Sequence, residues 1–140
     1  MKVRWVSLIL FILVGCGTTK ALAPLPKIQD TNQVAKIHIV RPPRFAADGA
    51  SYMLQMDGIF VLQMRPNYYT TFMVNPGKHT LTLAAETFWH GLQVENARLN
   101  CEPRDVYYFK ITPAGLTQVT EEIAKPLMDK YKYIPAEYDE

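Results

Sequence analysis

From Val34 onward, apolar and polar residues alternate in short runs. Between Val34 and Arg41, Ala35, Ile37 and Ile39 fall on one side and Lys36 and His38 on the other, the period of a half-buried strand. On this pattern His38 faces solvent. Pro42-Pro43 ends the run, since neither proline can donate to a ladder. Residues 52–56 and 59–64 flank Asp57-Gly58. That pair predicts a two-residue hairpin, because a type I′ turn needs positive φ at both central positions. Residues 69–74 lead into Asn75-Pro76-Gly77-Lys78, the composition of a type II turn, and then into 79–85. Phe72, Val74, Leu81 and Leu83 are expected on a shared inner face, with Thr71, Thr80 and Thr82 outside. Residues 92–99 read as a weaker strand, 106–112 as a strong one, and 116–120 as a final return after Pro113-Ala114-Gly115. Thr120-Glu121-Glu122 opens a helix, with a capping hydroxyl and early acids. Pro126 is expected to interrupt it or to begin a shorter one, and residues 131–140 read as an extended tail. The fold class this predicts is all-β: a small antiparallel β-sandwich of about seven to eight strands, with a short C-terminal helix or tail.

The N-terminus has a different texture. Lys2 and Arg4 precede an apolar run from Trp5 to Val14, interrupted only by Ser7, and then Gly15-Cys16. A cationic start, a short apolar stretch and a small residue at the cut make a secretory signal peptide. The apolar run is about half the roughly 20 residues of a spanning helix. Leu13-Val14-Gly15-Cys16 resembles the lipobox of bacterial lipoproteins. That resemblance implies diacylglyceryl transfer to Cys16, cleavage before it and N-acylation of the new terminus; a cut at Ala21 or Ala23 is the rival. Gly17 stands where an Asp would favour inner-membrane retention, so the expected location is the bacterial envelope, at the outer membrane and facing the periplasm. The expected organisation is a signal peptide over 1–15, a lipidated N-terminus and tether over 16–33, a β-sandwich over 34–120, and a short helix and tail over 121–140. Pro24 and Pro26 oppose helix in the tether.

Charge then loses its apparent meaning. The chain carries 15 basic and 13 acidic residues, but residues 1–15 hold Lys2, Arg4 and no acid, so the mature chain is balanced. No basic stripe remains to suggest nucleic acid. With Cys16 committed to lipid, Cys101 has no intramolecular partner; burial is the expectation, with intermolecular pairing as the alternative.

Arg41-Pro42, Asp57-Gly58, the run from Tyr69 through Pro76-Gly77-Lys78-His79, and Tyr107-Tyr108-Phe109 occur in an order that resembles a family of small bacterial envelope lipoproteins. The globular part of that family is a domain of unknown function. The resemblance spans about residues 34–120 and implies a small antiparallel sandwich, with no reaction and no ligand attached. One departure is Asn67-Tyr68, where the family tends to place a glycine before the aromatic strand.

Candidate chemistry is sparse. His38, His79 and His90 form no metal-ligand spacing with cysteine or with each other. His79 follows a turn and is expected to bond turn carbonyls. Ser51 lacks a nucleophile-elbow context, and the glycines sit in turns rather than in a phosphate loop. No catalytic residue, metal or cofactor is expected. Binding has two candidates. Phe88-Trp89-His90 before Gly91 is an aromatic cluster at a loop, suited to a hot spot or a sugar platform; the alternative is that Phe88 or Trp89 closes one end of the core. In Tyr68-Tyr69 and Tyr107-Tyr108, neighbouring side chains point to opposite faces, so Tyr108 is a candidate for an exposed aromatic patch. The expectation is a lipid-anchored envelope protein acting by binding, in a structural or accessory role. Its partners would be the membrane, through lipid on Cys16, and an envelope protein. A carbohydrate or peptidoglycan-fragment module is the alternative, and an enzyme a remote one.

Overall fold

In the computed structural model, which describes residues 20–43, 51–87, 91–112 and 114–140, the alternating runs become strands that turn one face to a shared core. In chain order they are β1 (Lys20–Ala21), β2 (Ala35–Arg41), β3 (Ser51–Met56), β4 (Ile59–Met64), β5 (Tyr68–Val74), β6 (Gly77–Thr87), β7 (Gly91–Cys101), β8 (Val106–Thr112) and β9 (Gly115–Val119), then α1 (Glu121–Lys130) and β10 (Lys132–Pro135). The described residues form two five-stranded sheets, ordered β1-β4-β3-β6-β7 and β10-β5-β2-β8-β9. The all-β sandwich read from the sequence is the fold, with one short helix near the C-terminus. Leu54, Met56, Leu62, Leu81 and Leu83 from the first sheet meet Ile37, Ile39, Phe72, Phe109 and Ile111 from the second in one buried cluster. Alternation fails visibly in β4, where Val61 and Leu62 are both buried. Leu54 pairs with Leu62 but Gln55 pairs with Phe60, so Val61 is an extra residue; a bulge of this kind resets which side chains face inward.

The Asp57-Gly58 turn forms as expected, whereas at the second corner only the positive φ of Gly77 holds, since Gly77 already opens β6 and no type II turn forms. Asp57 and Gly58 have φ of 52° and 84°, and Gly77 has φ of 137°. Asn67 has φ of 65°, so it adopts the left-handed conformation that a glycine would supply there, and asparagine is among the few other residues that visit it readily. The Asn75–Gly77 corner does not close a hairpin, however. β5 and β6 belong to different sheets, so Phe72 and Val74 face Leu81 and Leu83 across the core rather than beside them. Thr82, expected outside, is buried and donates to Asn96 Oδ1 at 2.6 Å.

Two pairings run parallel: β2 with β8, and β5 with β10. Each joins strands separated by several other elements, and such long connections free the chain from antiparallel return. Two segments expected to hang outside the sandwich are part of it. Leu25, in the expected tether, is 1 % exposed and in the core. Its N–H donates to Glu137 O and its carbonyl accepts from Asp139 N–H, both at 2.8 Å. The C-terminal segment adds β10 beside β5, inserts Ile134 into the core, and receives a bond from the buried Thr70 hydroxyl at Ile134 O, 2.8 Å. Pro126 sits inside α1 without ending it. Arg41, which closes the inner face of β2, is fully buried; its guanidinium donates to Met64 O and lies 4.1 Å from the centroid of the Tyr52 ring.

Candidate functional site

The outer face of the second sheet carries Lys36, His38 and Val40 from β2 and Tyr69, Thr71 and Met73 from β5, in register as Lys36–Met73, His38–Thr71 and Val40–Tyr69. α1 packs over β2 and β8 on this face. Its apolar stripe is Ala124, Leu127 and Met128, spaced as neighbours on one side of a helix. Val40 and Ala124 are both fully buried where they meet this layer. The remaining part of the face stays open. Lys36, His38, Tyr69, Thr71 and Met73 form the floor of a groove of about 400 Å³, walled by Met128 of α1 and by Tyr133 and Tyr138 of the C-terminal segment.

Several bonds fix this lining. His38 Nδ1 lies 2.7 Å from Thr71 Oγ1 across the β2–β5 pair. On its other side the imidazole stacks on Tyr108 of β8, with centroids 4.9 Å apart and planes 20° from parallel. Tyr138 accepts the Met73 N–H at its hydroxyl oxygen, 2.7 Å. The Tyr69 and Tyr133 rings meet at 5.1 Å and 43°, so they form an angled corner rather than a stack. Burial, then the nearby Lys36, hold the His38 pKa below its usual value, against a smaller opposite pull from Glu121. Burial raises the phenols of Tyr133 and Tyr138. Near neutral pH the groove therefore presents a neutral imidazole, protonated phenols, a threonine hydroxyl and one ammonium. Aromatic faces with a few placed polar groups can bind; this combination suits a ligand with both apolar faces and hydroxyls.

Of the candidates read from the sequence, Tyr108 lies on this face. It is half-buried behind His38, which it supports, rather than lining the groove. His38 itself is half-buried, not solvent-facing as alternation suggests, because α1 and the C-terminal segment build walls over that side. Phe88, Trp89 and His90 connect β6 to β7 and lie outside the described residues, as does Cys16. His79, near the start of β6, bonds the preceding corner: Nε2 lies 2.7 Å from Asn75 O and Nδ1 2.7 Å from Asp57 Oδ2, while Asp57 Oδ1 accepts the Thr80 N–H. These bonds staple the β3–β4 hairpin to the start of β6. Cys101 is buried, and burial together with Asp105 and Asp57 pushes its thiol pKa up. Among the described residues no three His, Cys, Asp or Glu side chains converge as a metal would require, and no helix is long and apolar enough to cross a membrane.

Sequence reasoning missed Tyr133, Tyr138, Met128 and Met73. A signal existed in Tyr131-Lys132-Tyr133-Ile134, an alternating, tyrosine-rich run that is unlike the polar composition of a free terminus. No protein-family model, curated protein or solved structure matches the chain.

Proposed function

We propose that this chain is a lipid-anchored protein of the bacterial envelope that works by binding, in a structural or accessory role, through the groove between α1 and the C-terminal segment. The observation that carries the reading is the groove itself. Three distant stretches of chain, β2–β5, α1 and 133–138, bring tyrosines, His38 and Met128 around one open hollow. Tyr133 is 51 % exposed there, although burying it would be favourable; exposed aromatics at a concave site are what partners use as anchors. The acyl anchor at Cys16 agrees with this use. Lys20, where β1 begins, is four residue steps after Cys16. An extended chain covers at most about 3.6 Å per residue, so a lipid on Cys16 would hold the sandwich within about 14 Å of the bilayer surface.

The test is Tyr133→Ala in the full-length lipoprotein. Its exposed side chain contributes little to the core, so melting should stay within about 2 °C, less than 1 kcal/mol for a domain of this size. Capture of partners from solubilised envelopes should fall at least tenfold, as loss of a hot-spot aromatic does. Unchanged capture by Tyr133→Ala and by Tyr69→Ala would remove the groove from consideration. A glycan-binding reading of the same site is favoured by one observation. The angled Tyr69–Tyr133 corner beside the Thr71 and His38 polar groups offers a ring face to sugar C–H groups and hydrogen bonds to sugar hydroxyls.

A further inference from the structure

We infer that the ligand of this groove is an oligosaccharide bearing a carboxylate, its sugar rings resting on the tyrosine-lined part and its acid held at the neighbouring Lys36–Arg104 recess. The inference rests on the reading of the groove as the binding surface and names what it binds. A second hollow of about 350 Å³ adjoins the groove, lined by Thr31, Asn32, Val34, Lys36, Arg104 and Val106. Lys36 lines both hollows, so they share a wall. Successive same-face residues of a strand lie about 7 Å apart. A ring seated at His38 therefore has its next substituent or neighbouring ring beside Lys36.

The lining of the recess carries two cations. It contains a lysine, an arginine, a threonine and an asparagine, and neither hollow has an acidic residue in its lining. Two acids adjoin the lining in sequence, Asp30 beside Thr31 and Asp105 beside Arg104, and both carboxylates bond backbone N–H groups: Asp30 Oδ1 accepts the Asn32 N–H at 2.8 Å, and Asp105 Oδ2 accepts the Glu102 N–H at 2.9 Å and lies 3.1 Å from the Tyr107 hydroxyl. Arg104 is positioned rather than free to wander. Its backbone has φ of 68°, and its Nε–H donates to Asn32 O at 3.1 Å. With Nε engaged, the two terminal amino groups form the flat donor edge that remains, and a planar carboxylate matches such an edge with two oxygens.

A peptide fits the same place less well. Extended peptides are usually recognised through main-chain pairing at a sheet edge. The floor here is β2 and β5, each already paired on both sides: β2 with β5 and β8, β5 with β2 and β10. Most of their backbone groups are spent in ladders, and the Met73 N–H is taken by the Tyr138 hydroxyl. A sugar needs no main-chain pairing, since each ring has an apolar face and hydroxyls at its rim.

The full-length lipoprotein in detergent micelles should be titrated with tetragalacturonate and with its fully methyl-esterified form, following binding by calorimetry. The acid should bind at least tenfold tighter than the ester at low salt. Arg104→Gln should erase most of that preference while leaving affinity for the ester within about twofold, and Lys36→Gln should also erase the preference. Tyr133→Ala should weaken both forms alike. Equal binding of acid and ester by the wild-type protein overturns the carboxylate and leaves the groove standing. Binding of neither form overturns the oligosaccharide, and envelope capture by Tyr133→Ala then decides separately whether the groove binds anything. A preference for the acid that survives both cation variants places the charge recognition elsewhere and overturns the assignment of the recess.

Discussion

Among the described residues three glycines hold positive φ, and their surroundings rank what a side chain would cost at each. At Gly58 and Gly77 a Cβ meets open space, so the penalty is the backbone conformation alone, about 1–2 kcal/mol. At Gly115 (φ 108°) an added Cβ would fall 1.8 Å from Glu95 Oε2, the oxygen that accepts the Leu116 N–H at 2.6 Å. Gly115→Ala must therefore also displace a carboxylate and lose a bond that ties β7 to the start of β9. We expect it to destabilise by about 1 kcal/mol more than Gly58→Ala, the size of one net hydrogen bond. Denaturant midpoints of the two variants check this, and equal losses would show that the Glu95 bond contributes nothing. His38 carries the second prediction at this scale. Its folded pKa is depressed, chiefly by burial, so the unfolded chain binds protons more readily in the window between that value and the ordinary 6.5. The stability it contributes is complete above about pH 6.5 and is lost as pH falls through the folded value. Wild-type protein should thus lose more stability between pH 7.5 and 5 than His38→Gln, measured by urea unfolding at each pH. Parallel losses would contradict the burial of a neutral imidazole.

Among the elements, β10 is the least expected and the most consequential. Four residues pair in parallel with β5, and Ile134 enters the core while Tyr133 stays on the groove side. One short strand thus couples packing to the site. Ile134→Ala should cost about 2–3 kcal/mol, as for other buried aliphatic truncations, and lower Tm by several degrees. Because the same strand positions Tyr133 and leads to Tyr138, partner capture should fall along with stability. A variant that melts normally would mean β10 is peripheral. The contrast with Tyr133→Ala, which is expected to keep its melting point, separates support from contact. At the other end of the chain, the bonds between Leu25 and residues 137–139 join the N-terminal segment to the same wall.

At the scale of the molecule, the anchor and the two cysteines give one measurement. Cys101 is buried with a raised thiol pKa, which makes it a slow nucleophile. If Cys16 is acylated, the native lipoprotein should show no fast-reacting thiol and one thiol only after denaturation. A fast-reacting native thiol would contradict lipidation. Mass spectrometry should find the mature chain beginning at an acylated Cys16, and Cys16→Ser should release the protein from membranes without lowering its Tm.

Local pattern alone determined a good deal about this protein: strands at 34–41 (found at 35–41), 59–64 and 106–112, the Asp57-Gly58 turn, the positive φ at Gly77, the helix opening after Thr120, and the burial of Cys101. Each follows from a period of two, a φ requirement or acids in a first helical turn, which act over a few residues; Thr120 takes the extended N-cap position, but its hydroxyl makes no cap bond. Three features were decided only in the tertiary structure. Whether Val74 and Leu81 sit in one sheet or two depends on which strands find each other, and the Asn75–Gly77 corner is compatible with both. The parallel partners of β2 and β5 are many residues away, so no local spacing announces them. The site was the least legible, since its residues come from β2, β5, α1 and 133–138, and the sequence reading had weighed only His38 and Tyr69 among them for chemistry or binding. Alternation places His38 and Tyr69 on the polar side of a sheet, but it carries no information about what packs on that side. α1 and the C-terminal segment cover one part of the outer face and leave another open, and that partial burial, a property of long-range packing, makes the groove.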